Sequence, residues 1–145
     1  MRIKKIAPVT PANGNIENSY GTSQTDTYSQ EYLNEFIEDS GWQTPTIGSD
    51  FNIGGSFKYR KIGSIVFVNL TVSAKNNIAL KDALNVIATG LPAPDTDIEL
   101  ATYIATGNLT FRTCLRTTGD LQLWWNTTGT LQANKNFTIT FTYMV

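Results

Sequence analysis

The chain has 145 residues, 41% hydrophobic and only 16% charged, with no His and a single Cys, which suits one domain with enough apolar matter for a core. The missing residue types exclude a tetrahedral Cys/His zinc site, an intrachain disulfide and any His-dependent catalytic triad. The net charge is −1, with three basic and seven acidic residues in 1–57 against eight and five in 58–145; this is too little and too scattered for a nucleic-acid footprint, though it marks two parts with different surroundings.

The opening "MRIKKIAPVTPANGNIE" has basic residues but no apolar run of signal-peptide length. No segment reaches the roughly 20 apolar residues of a membrane-spanning helix, so no membrane partner is expected. Residues 7–26, rich in Pro, Gly, Asn, Ser and Thr, read as an extended arm. In "TDTYSQEYLNEFIEDSG", Thr27 and Gln30 have the spacing of a capping box, and Tyr28, Tyr32, Leu33, Phe36 and Ile37 fall on one helical stripe. The pattern predicts a short helix stopped at Gly41. Such a helix is marginal alone and needs a partner for its stripe.

From Trp42 the period changes from helical to alternating. "SFKYRKIG", "SIVFVNLTVS", "LNVIAT", "DIELATYIAT", "NLTFRTCLRTT", "LQLWWN" and "NFTITFTYMV" read as strands, with Thr-Gly turns beginning at Thr89, Thr106, Thr118 and Thr128. The chain therefore divides into an arm and helix over 1–41 and a mainly β head over 42–145. The head is expected to be an antiparallel barrel or sandwich. Trp42 reads as a packing anchor at the junction. "GLPAP" reads as a rigid connection in which Pro92 and Pro94 end a sheet ladder.

Alternation sorts the faces. Leu109, Phe111, Thr113 and Leu115 oppose Asn108, Thr110, Arg112, Cys114 and Arg116. A hairpin about Gly119 keeps dry faces together only with an odd-length loop. A loop of Thr118–Asp120 would pair Leu115 with Leu123 and place Cys114 across from Trp124. In "LQLWWNTTG", Trp125 then joins Leu121 and Leu123 in the core, while Trp124 points outward with Arg112, Arg116, Gln122 and Asn126.

Several segments are familiar. "NIENSYGTSQTDTYSQEYLNEF" resembles the segment that introduces trimeric shafts in tail-fibre and baseplate proteins of phages of Gram-positive bacteria. "GWQTPTI", "YRKIGSIVFVNLTVS", "IATGLPAP" and "FTITFTYM" resemble the terminal head module of such receptor-binding proteins. The resemblance implies a virion location at the tail tip or baseplate, with synthesis in the host cytoplasm. It implies a homotrimer, attachment to other tail proteins through the N-terminal region, and a head that binds host cell-wall polysaccharide. Known heads of this kind use Trp, His and acidic residues; this chain has no His, so only the Trp type carries over.

An outward Trp124 has two readings. It is a platform for a sugar ring, with Gln122, Asn126, Arg112 and Arg116 bonding hydroxyls or phosphates. Alternatively it is a contact between subunits. Arg112 and Arg116 also fit a plain solvated face. Asp97 and Glu99 would share one strand face but look like an exposed strand start, and no carboxylate pair suggests glycoside hydrolysis. No enzyme activity and no cofactor are expected. The reading is an adhesin; the alternative is a structural tail or baseplate component that trimerises and holds other proteins.

Overall fold

The computed structural model describes residues 38–104, 108–126 and 128–145. The expected helix and its stripe, Tyr28 to Ile37, lie outside the described residues. Ser40–Val145 form one compact unit.

The strands run β1 (Asp39–Gln43), β2 (Thr46–Ile47), β3 (Phe51–Ile62), β4 (Ile65–Ala74), β5 (Ile78–Ala79), β6 (Val86–Thr89), β7 (Ile98–Ile104), β8 (Leu109–Leu115), β9 (Leu121–Leu123), β10 (Thr130–Leu131) and β11 (Asn136–Met144). They form a four-stranded sheet, β1-β3-β4-β11, a five-stranded sheet, β2-β6-β9-β8-β7, and a small β10-β5 ribbon. Among the described residues, every pairing between these strands is antiparallel. The alternation predicts an antiparallel barrel or sandwich, and the described residues form all-β antiparallel sheets in a sandwich-like arrangement. All seven predicted strand segments contain a strand.

The period-2 rule builds the core. On β4, Val66, Val68, Leu70 and Val72 are buried, and their ladder partners on β11 include Tyr143, Ile139 and Phe137, also buried. The other sheet contributes Ile87, Phe111, Leu115, Leu121 and Leu123 to the same cluster. The sheets meet through Phe111 and Phe137, whose rings stand edge to face at 5.3 Å. Thr residues of β11 face outward, and Thr71 and Thr138 bond hydroxyl to hydroxyl at 2.8 Å across the β4–β11 ladder. The "GLPAP" connection is anchored at both ends of its first half: Leu91 is buried, and the Tyr143 hydroxyl donates to the Pro92 carbonyl at 2.6 Å. Burial pushes the Tyr143 phenol well above its usual range, with nearby Tyr59 adding to the effect.

Two local expectations are corrected. Gly41 lies within β1 at φ 60°, inside an extended strand rather than at the end of a helix. Trp42 is no core anchor: it is 51% exposed, with the Lys58 ammonium 4.5 Å from its ring centre. Among the described residues, the neighbour of its strand in the sheet is β3.

Candidate functional site

The β7–β8–β9 face carries the residues of interest. The β8–β9 hairpin pairs Leu115 with Leu121, Cys114 with Gln122 and Thr113 with Leu123. The loop is odd in length, as face parity demands. Its register, however, is shifted: Gln122, not Trp124, lies across from Cys114. The turn closes through Arg116, whose N–H donates to the Asp120 carbonyl at 2.8 Å and whose carbonyl accepts from Gly119 N–H at 2.9 Å. Gly119 takes φ 82°, and a Cβ there would lie 2.2 Å from the Leu91 carbonyl oxygen. Only a glycine allows the turn to seat on the "GLPAP" connection at that distance.

The two tryptophans do not follow simple alternation. β9 ends at Leu123, and the Trp124 N–H still reaches the Arg112 carbonyl at 3.0 Å. Trp125 then takes φ 30°, in the left-handed region that L-residues avoid. That reversal overturns the expectation that Trp125 is core: it is 54% exposed, and only Leu121 and Leu123 go inward. Asn126 is likewise corrected. It is 7% exposed, and its side chain serves the backbone rather than a ligand. Its Oδ1 accepts the Arg112 N–H at 2.7 Å, and its Nδ2 donates to the Arg112 and Trp124 carbonyls at 3.2 and 2.9 Å. One amide thus satisfies the backbone groups that the end of β9 leaves without a ladder partner.

Trp124 is half-buried and tied down. Its indole N–H donates to Glu99 Oε1 at 3.2 Å, and the Arg116 guanidinium stacks 4.9 Å from its ring centre. Trp125 meets it edge to face, with ring centres 5.8 Å apart and planes at 86°. Glu99 Oε2 accepts from Arg112 Nη2, and Asp97 Oδ2 pairs with Arg116 Nη1 at 3.0 Å. Asp97 Oδ1 also accepts the Thr117 N–H at 2.9 Å. The result is a connected surface of indoles, guanidinium groups and carboxylates.

Of the five residues predicted for the site, the structure brings together Trp124, Arg112 and Arg116. Gln122 stands beside them on β9, half-buried, and Asn126 belongs to the scaffold beneath. Sequence reasoning missed Glu99 and Asp97 as members, and missed Trp125 as the exposed ring. The carboxylates were legible in principle: Asp97, Glu99, Ala101 and Tyr103 alternate with the inward Ile98, Leu100, Thr102 and Ile104. The reversal at Trp125 has no signal in local pattern.

Cys114 has the outward register of β8 yet is fully buried. It lies between Glu99 and Gln122 in the ladder, under the linked side chains of Glu99, Trp124 and Arg116. Desolvation pushes its thiol up, the Asp97 carboxylate adds to this, and Arg116 opposes it. Among the described residues, no group of three or more His, Cys, Asp or Glu is placed to hold a metal ion.

Compared with known protein families, curated proteins and solved structures, the chain matches none. The exposed Trp125 ring stands edge to face with the half-buried Trp124, and hydrogen-bonding groups lie beside them. That combination suits a flat, polyhydroxylated ligand such as a sugar ring, whose C–H face stacks and whose hydroxyls bond at the rim.

Proposed function

We propose that this chain is a phage receptor-binding protein whose trimeric β head binds host cell-surface saccharide through the outer face of the five-stranded sheet. The head is a non-catalytic adhesin, and the region over 1–41 joins it to other tail or baseplate proteins of the virion. The observation that carries this reading is Trp125. A large apolar ring stands 54% exposed at φ 30°. Backbone strain of this kind clusters at functional sites, and here it displays an indole to solvent. Resemblance of the flanking segments to phage heads supplies the class of ligand and the trimer.

The experiment uses the purified full chain and a panel of intact Gram-positive cell walls. Binding is measured for the unaltered chain and for Trp125→Ala. The variant should lose wall binding while its melting temperature stays close to that of the parent. Full binding by Trp125→Ala would remove this face from the adhesin role.

A second reading is a structural tail component without a ligand. It is favoured by the outer face of the four-stranded sheet. There Ile65 and Met144 are ladder partners at 41% and 69% exposure, with Phe67 two residues along β4. An apolar patch of this kind suits a protein contact. Failure of the chain to bind any wall, together with light scattering showing a trimer, favours this second reading.

A further inference from the structure

The exposed face holds two cations and two anions, and the way they are paired bears on which saccharide it takes. This rests on the adhesin reading above and refines it. Arg112 and Arg116, taken alone, are the residues that would grip the phosphates of an anionic wall polymer. Here neither guanidinium stands without a carboxylate. Each carboxylate, in turn, is held by both of its oxygens. Glu99 receives Arg112 on Oε2 and the Trp124 indole N–H on Oε1. Asp97 receives Arg116 on Oδ2 and the Thr117 backbone N–H on Oδ1. The second donors are a half-buried indole and a turn amide, so the carboxylates cannot simply swing aside when an anion approaches.

We infer that Glu99 and Asp97 are specificity-determining residues that make this face select uncharged saccharide over phosphate-bearing polymer. The local charge of the four groups sums to zero, so an anion gains nothing from the two cations that it does not lose to the two carboxylates. A neutral sugar meets no such penalty. A guanidinium has five N–H donors, so donors beyond those engaged by the carboxylates serve hydroxyls. The carboxylates accept from hydroxyls as well. All four side chains are partly solvent-exposed, at 48% and 50% for the Arg112–Glu99 pair and 36% and 37% for Arg116–Asp97.

The test uses walls of a strain that binds the full chain, untreated or stripped of phosphodiester polymers with hydrofluoric acid, and soluble poly(glycerol phosphate) as competitor. Stripped walls should retain binding, and poly(glycerol phosphate) should not compete. Binding should change by no more than about threefold between about 50 and about 500 mM salt, because no net charge is neutralised. Glu99→Gln keeps the shape and the indole acceptor while freeing Arg112 of its anion. It should gain about tenfold in affinity for poly(glycerol phosphate), the factor that one charge-assisted contact supplies, and lose that gain in high salt. Asp97→Asn reads the same on Arg116 should Glu99→Gln fail to fold. If stripping abolishes binding and poly(glycerol phosphate) competes, the ion pairs open for an anionic ligand: the inference falls and the adhesin reading stands. If neither variant gains affinity for the polymer, the carboxylates do not set selectivity and the inference also falls. If the unaltered chain binds no wall at all, both fall together.

Discussion

Asn126→Ala removes the side chain that ties the end of β9 to the backbone of β8. The Asn126 amide makes three hydrogen bonds, to Arg112 N–H, Arg112 C=O and Trp124 C=O. Alanine removes all three. The Arg112 carbonyl keeps a partner, because it also accepts the Trp124 N–H at 3.0 Å. Among the described residues, the Arg112 N–H and the Trp124 carbonyl have no such second bond. Lost bonds at about 0.5–1.5 kcal/mol each, with one amide left orphaned under a buried side chain, amount to about 2–4 kcal/mol. For a unit of this size that corresponds to a fall of roughly 10–20 °C in melting temperature. Urea titration should show the midpoint falling at constant slope, because the denatured state is unaltered. Trp fluorescence in the folded baseline should change as well, because the clamp sets how Trp124 and Trp125 meet. A variant melting within about 2 °C of the parent, well below the loss expected from three bonds, with unchanged emission, would refute the claim that Asn126 holds the left-handed turn.

Leu123→Ala should cost about 2–5 kcal/mol, against about 1 kcal/mol or less for Trp125→Ala, because the leucine is fully buried and the indole is mostly in solvent; paired denaturation curves check the ranking, and the reverse order would contradict the exposed placement of Trp125. Thr113 is fully buried and, among the described residues, its Oγ1 has no hydrogen-bond partner, so Thr113→Val should raise stability by about 1 kcal/mol, seen as a higher urea midpoint. Gly119→Ala should be strongly destabilising, because its Cβ would meet the Leu91 carbonyl oxygen at 2.2 Å in a left-handed turn; an unchanged melting curve would contradict that contact. Cys114 should react slowly with a thiol reagent at pH 8 in the folded chain and readily after urea unfolding: a raised thiol has a smaller thiolate fraction at that pH, and the group is buried.

Much of this protein follows from its sequence alone. Alternation in "SIVFVNLTVS" and "NFTITFTYMV" is enough to assign β4 and β11 and to say which side chains go inward, because side-chain direction in a strand is set by the backbone itself. Face parity likewise demands an odd loop between β8 and β9. The register of that hairpin is another matter. Loops centred on Thr118 or on Gly119 both keep Leu against Leu, so face parity alone leaves the register open; in the folded chain the turn is centred on Thr118, with Gly119 seated against the carbonyl of Leu91, a residue distant in sequence. The site was decided later still. "LWWN" reads as a continuing strand, in which Trp125 is core and Asn126 is surface. In the folded chain β9 stops after Leu123, Asn126 turns inward to bond the backbone of Arg112, and Trp125 is carried out to solvent. Arg112 and Arg116 gain their carboxylates only when β7 is laid beside β8. Local pattern determines which way a side chain points while the strand lasts; where the strand ends, and which charges then face each other, depends on hydrogen-bonding groups that distant segments bring into reach.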